Sequence, residues 1–135
     1  MLLLLDTSAA ILVRDGHEPI LNRLEAVPLT PLISILTRVE LEGGVHRHPD
    51  LAAILRPRLD LFLTQVTQLP FEDQQAEMYG RIVAAIGFSR ARIIDRMIAA
   101  QALVAGATIA TLNPRDFSDV PGLSVEDVRG DAAPP

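Results

Sequence analysis

Four acids of this 135-residue chain stand where expected elements begin or end: Asp6, Glu40 and Asp116 follow strands, Asp95 opens a helix, and Asn113 is close to the last of the strand-following acids. Three or four carboxylates brought together repel one another, so that one takes up a proton unless a cation joins them. A hard divalent ion, Mg2+ or Mn2+, removes that conflict. It prefers oxygen ligands, needs only one or two carboxylates, keeps several waters, and binds better still when a substrate phosphate completes its shell. Phosphodiester hydrolysis by an activated water, with no side-chain nucleophile, is the chemistry that follows. In it Glu40 would either complete the metal shell or take the water's proton.

The elements that must position these acids begin with Leu2-Leu3-Leu4-Leu5-Asp6-Thr7-Ser8. An apolar run ending abruptly in an acid and two hydroxyl residues suits a strand buried on both faces, its carboxyl end at an active-site edge. The same Asp-Thr-Ser is equally a good helix start, with the acid or a hydroxyl as cap. Helices are expected over Ser8 to Arg14 and Glu18 to Val27, and a second strand over Pro28 to Ile35. A helix carrying Glu40 follows from Leu36 to His46, with Leu36, Val39, Leu41 and Val45 on its apolar stripe. Gly43-Gly44 lies inside it at roughly 1 kcal/mol each against alanine, which asks for close packing by a neighbour or an early end. A further helix, Leu51 to Leu63, should be interrupted or kinked at Pro57, and the two make a helical hairpin.

A third strand over Val66 to Leu69, a helix over Glu72 to Gly87, a helix over Ile93 to Ala105 opened by Asp95, and a fourth strand over Ala107 to Thr111 complete the alternation. A short edge strand is expected at Leu123 to Val125 after the Pro121-Gly122 turn. Alternating strands and helices argue for an α/β fold with three α/β/α layers and a mainly parallel sheet of four or five strands. Right-handed crossovers then put all strand carboxyl ends on one edge, where ligands bind in such sheets. Residues 1–128 read as a single domain and 129–135 as a flexible tail.

Composition agrees and excludes. With 49% hydrophobic residues the chain has ample material for a core, and no apolar run approaches the roughly 18 residues needed to cross a bilayer. The opening lacks the basic and long apolar regions of a signal peptide, so a soluble, cytoplasmic protein is expected. The absence of cysteine removes disulfides and thiolate chemistry. A formal net charge of -5 gives no global attraction for nucleic acid, so such binding requires a local basic patch. All twelve basic residues are arginine, suited to forked phosphate contacts. Arg90, Arg92 and Arg96, joined by Arg115, read either as solvated charge or as a phosphate-contacting rim. His17, His46 and His48 read as surface residues, since i and i+2 do not share a helix face.

Four segments, in order, carry a resemblance: Leu4-Leu5-Asp6-Thr7-Ser8, Ser34 to Leu41, Asp95 to Leu103, and Thr111-Leu112-Asn113-Pro114-Arg115-Asp116-Phe117. Together they resemble PIN-domain ribonucleases of the VapC toxin type. The resemblance implies a Mg2+- or Mn2+-dependent endoribonuclease acting on structured RNA such as transfer or ribosomal RNA. It also implies a homodimer, held inactive by a small VapB-type antitoxin. Asp6, Glu40 and Asp95 match the family's three principal acids. The fourth acidic position is a departure, matched here by Asn113 in alignment and by Asp116 in charge. Two alternatives stand beside this reading. One is a PIN-like fold that acts mainly through a protein partner. The other is a receiver-like signalling domain, against which the lack of paired acids at strand one counts.

Overall fold

The computed structural model describes residues 1–26 and 28–129; Val27, the expected end of the second helix, and most of the expected tail, 130–135, lie outside the described residues. Five strands form one sheet: β1 (Leu2–Leu5), β2 (Thr30–Ser34), β3 (Thr67–Leu69), β4 (Thr108–Thr111) and β5 (Val125–Asp127), in the order β3-β2-β1-β4-β5. Every pairing is parallel, with Leu5 opposite Ile33 on one side and Ala110 on the other. The strands alternate with α1 (Thr7–Arg14), α2 (Glu18–Glu25), α3 (Ile35–Arg47), α4 (Ala52–Gln65), α5 (Asp73–Ile86) and α6 (Ile93–Ala105).

The leucine run explains the layering. Successive strand side chains point to opposite faces, and Leu3, Leu4 and Leu5 are all fully buried, so both faces must be covered. Leu3 and Leu5 enter one core with Ile33, Ile20, Leu41, Leu59 and Phe62, beneath α1 to α4. Leu4 enters the other with Leu32, Ile109, Ile98 and Phe117, beneath α5 and α6. Each buried leucine contributes about 1.5–3 kcal/mol of transfer free energy, which favours this central strand over any exposed alternative. Gly106 closes α6 in the left-handed conformation at φ 68°, which ends the helix sharply and delivers the chain to β4.

Four local expectations are corrected. The edge strand is Val125–Asp127 and not Leu123 to Val125, because Ile109 N donates to Ser124 O and Val128 N to Thr111 O, which fixes the later register. Val39 is 62% exposed; the buried positions of α3 are Thr37, Leu41 and Val45, spaced by four. A Cβ at Gly43 or Gly44 would meet nothing within 4 Å, so no neighbour requires these glycines, and α3 runs through them anchored by Leu41 and Val45 on either side. Likewise α4 runs through Pro57 without the interruption that was one of the two outcomes expected there, its far end held in the core by Leu59 and Phe62 despite the missing backbone donor. No helix among the described residues is long and apolar enough to cross a membrane.

Candidate active site

Strand β1 lies at the centre of the sheet, with β2 on one side and β4 on the other. The connection out of β1 leads to β2, and the chain returns to the opposite side only at β4, so the strand order reverses beside β1. In open α/β sheets the crevice beyond the strand ends at this reversal is where ligands bind. Here it is a cleft of about 300 Å³ lined by Asp6, Thr7, Ser8, Glu40, Ala91, Ile94, Asp95, Asn113 and Asp116. All five oxygen-bearing positions expected from sequence, four acids and Asn113, border it.

Asp6 is the most firmly held of them, at 6% exposure. Its Oδ1 accepts from Ala9 N at 2.9 Å, capping α1, and from Ser8 Oγ at 2.6 Å. Its Oδ2 accepts from Thr111 Oγ1 at the end of β4. The cap and the site are therefore the same side chain, and the two readings of Asp-Thr-Ser are not in competition. Thr111 Oγ1 in turn accepts from Asn113 N at 2.9 Å, and Ser8 Oγ from Leu112 N at 3.2 Å, so the loop after β4 is tied to the start of α1. Reading the sequence for acids missed these hydroxyls, although their place beside strand ends was a usable signal.

Glu40 is carried by α3, which Ser34 caps by accepting from Leu36 N at 2.9 Å. Thr7 Oγ1 donates to Glu40 Oε1 at 2.6 Å. Thr7 has a single proton to give, so in its 3.1 Å contact with the buried Thr37 hydroxyl it accepts. One hydroxyl thus positions an otherwise exposed glutamate against the cleft. Further along α3, Glu42 binds Arg56 of α4 at 2.6 Å and Arg38 at 3.0 Å, which holds its carboxyl down at about 2 and fixes α3 against α4.

Asp95 lies in the first turn of α6, where the helix dipole favours its charge. Burial nevertheless pushes its carboxyl up to about 6, assisted by the neighbouring charges of Asp116, Asp6 and Glu40 and opposed by Arg92. The four acids therefore sense one another, and a proton is retained more readily than at an ordinary aspartate. Asp116 ends a 3-10 turn, Pro114–Asp116, and its Oδ1 accepts from Arg92 Nη1 at 3.0 Å.

The arginines separate. Arg90 and Arg115 are exposed, and Arg92 stands at Asp116. Arg96 is a correction to the expected rim: it is 4% exposed, donating to Gly87 O at 2.7 Å and to Asp119 Oδ2 at 3.3 Å. One step along α6 from Asp95 rotates a side chain by about 100°, which turns Arg96 away from the cleft. His17, His46 and His48 are exposed, as expected.

The donor set is all oxygen, and its mutual repulsion suits a hard cation. Among the described residues no three acidic side chains converge tightly enough to form a ready metal cage. The fit is accordingly to an ion held by one or two carboxylates and otherwise by water, the manner in which Mg2+ is usually bound.

Comparison with known proteins places this geometry in a family. The PIN domain family matches residues 3–123. The tRNA(fMet)-specific endonuclease VapC of Salmonella typhimurium is 28% identical over 132 residues, covering 92% of this chain and 96% of that protein. Ribonuclease VapC2 of Rickettsia felis is 27% identical over 133 residues, covering 94% and 98%. The crystal structure of VapBC2 from Rickettsia felis bound to a promoter DNA fragment superposes with a TM-score of 0.82 at 26% identity, covering 94% of this chain and 98% of that one. DNA-bound VapBC from Salmonella typhimurium gives 0.80 at 29%, covering 95% and 99%. With the acids of four segments gathered at the reversal of a five-stranded parallel sheet, the chain belongs to the PIN-domain family and is a toxin of the VapC type.

Proposed function

We propose that this chain is a Mg2+- or Mn2+-dependent endoribonuclease, the toxin of a toxin–antitoxin pair, which hydrolyses phosphodiester bonds of structured RNA such as transfer or ribosomal RNA. The observation that carries the reading is the shared cleft of Asp6, Glu40, Asp95 and Asp116, in which Asp95 is driven up to about 6 by burial and by the other three. The relatives named as an endonuclease and a ribonuclease support the activity. Membership of the PIN family displaces the receiver-like alternative.

In this reading Asp6 and Asp95 are the principal metal ligands, with Glu40 and Asn113 or Asp116 completing the set directly or through water. A bound divalent ion supplies an acidified water and neutralises phosphoryl oxygens. The chain does the rest. Thr111 and Ser8 keep Asp6 aimed into the cleft, and such outer hydrogen bonds orient a ligand for one geometry. Thr7 holds Glu40 where its free oxygen can take the proton of an attacking water. Arg90, Arg92 and Arg115 offer guanidinium forks to the RNA backbone at the rim, sequence-independent contacts that position the chain. Ala91 and Ile94 are the apolar residues that line the cleft beside Asp95.

The partner is a VapB-type antitoxin, a proposal supported by the solved relatives being VapBC complexes, and the toxin itself is proposed to be a homodimer acting in the cytoplasm. Protein freed of its partner should cleave RNA with Mg2+ or Mn2+ and stop on chelation. Asp6→Asn and Asp95→Asn should fold and not cleave. Metal-independent cleavage, or full activity in both variants, would remove the mechanism. A folded chain that binds antitoxin but never turns over RNA would favour a purely protein-binding role.

A further inference from the structure

Three of the four clefted acids are already engaged by groups of the chain itself: Asp6 by Ser8, Ala9 and Thr111, Glu40 by Thr7, and Asp116 by Arg92. The first two are satisfied by neutral donors, Glu40 through one oxygen and Asp6 through both, and a carboxylate so bound still has lone pairs to offer an ion. Asp116 is different. Its partner is a full positive charge at 3.0 Å, carried on the last residue of the 3-10 turn Arg90–Arg92 that leads directly into Asp95's helix. Both side chains are partly exposed, at 35% and 39%, so the pair is not locked in the interior and can open without burying an unpaired charge.

We propose that Arg92 is a tethered counter-cation of the metal-free cleft, which competes with the divalent ion for Asp116 and, once displaced, turns its guanidinium to the RNA phosphate. The inference rests on the metal-dependent reading above and deepens it by naming an exchange partner. The same Arg92 charge that binds Asp116 also opposes the upward drift of Asp95, so it faces the acid pair as a whole. A divalent ion entering beside Asp95 and Asp116 meets that charge at close range and must move it. A guanidinium freed at the rim keeps its full charge and five donors in a fork that matches a phosphate. Arg92 would then act in the reaction as a substrate-positioning residue, made available only when the ion is in place.

The test is Mn2+ binding by calorimetry to partner-free protein, alongside the KM and kcat of RNA cleavage. Arg92→Gln should bind Mn2+ roughly two- to fivefold more tightly than the native chain, the factor that release of one partly exposed ion pair allows. Its KM for RNA should rise at the same time. In an Asp116→Asn background the Arg92→Gln change should lose most of this gain, because the pair it breaks is already gone. Equal or weaker Mn2+ binding by Arg92→Gln would overturn the proposal, as would an undiminished gain in the Asp116→Asn background, which would show only a general loss of positive field. Absence of Mn2+ binding in native and variant chains alike would instead remove the metal-dependent reading and this inference with it.

Discussion

Thr111 and Asp6, 105 residues apart in sequence, meet side by side at the ends of neighbouring strands, the threonine hydroxyl donating to Asp6 Oδ2 in a buried contact. The hydroxyl also accepts from Asn113 N, so it joins the deepest acid to the loop that carries Asp116. Thr111→Val keeps the shape and deletes both bonds. It should cost about 1–3 kcal/mol of stability, the scale of leaving buried polar groups unpaired. RNA cleavage and Mn2+ affinity should fall roughly 10- to 100-fold, as when a ligand loses its orienting partner. Thr111→Ser should recover most of both, and denaturant melts beside cleavage rates check each half.

The double use of Asp6 separates two substitutions that would otherwise look alike. Asparagine caps a helix about as well as aspartate, whereas alanine forfeits about 1 kcal/mol. Asp6→Asn should therefore keep near-native stability and Asp6→Ala should be less stable, while both abolish cleavage. Thermal unfolding of the three chains measured together decides this.

Glu40 depends on one hydroxyl. Thr7→Val should lower the cleavage rate by about tenfold at unchanged RNA affinity if Glu40 acts on the water. Thr7→Ser, which restores the donor to Glu40 Oε1, should rescue it. A kcat and KM pair for each variant is the check.

Asp95 gives the pH dependence. Its carboxyl is raised from 3.8 to about 6 in the folded chain, so the folded state holds that proton more tightly than the unfolded state. Stability is thus lost as pH climbs between those values, and the metal-free protein is less stable above pH 6 by about 1–2 kcal/mol after allowance for solvent screening. Compared with Asp95→Asn by urea melts from pH 4 to pH 8, the native chain should fall behind as pH rises, and Mg2+ should close the gap. A constant difference between the two across this range would contradict the assignment.

Much of this was legible in the sequence for physical reasons. A central strand buried on both faces is a continuous apolar run, as Leu2 to Leu5 shows, and α6 combines a strong apolar stripe with a glycine stop, so its limits Ile93–Ala105 were those expected. Where tertiary contacts decide, sequence was mute. Edge strand β5 has three residues and no amphipathic signature, so its register comes only from β4. Thr37 is buried in α3 where Val39 is exposed: it shares the inward face with Leu41 and Val45, and its hydroxyl is satisfied there by Thr7. Arg92 and Arg96 looked equivalent as charges, but Arg92 lies in the 3-10 turn before α6 and reaches Asp116, whereas Arg96 lies inside α6 and is buried against Gly87 and Asp119. Asn113 and Asp116, alternatives for one position, both border the cleft because a 3-10 turn brings three-residue neighbours to one side.

The proposed mechanism requires one hard cation shared by Asp6 and Asp95. Anomalous diffraction from crystals of the partner-free chain soaked in Mn2+ tests it most directly. A peak is expected in the cleft within ligand distance, a little over about 2 Å, of carboxylate oxygens from both residues. A map with no peak in the cleft, or with Mn2+ bound only elsewhere on the molecule, would contradict it.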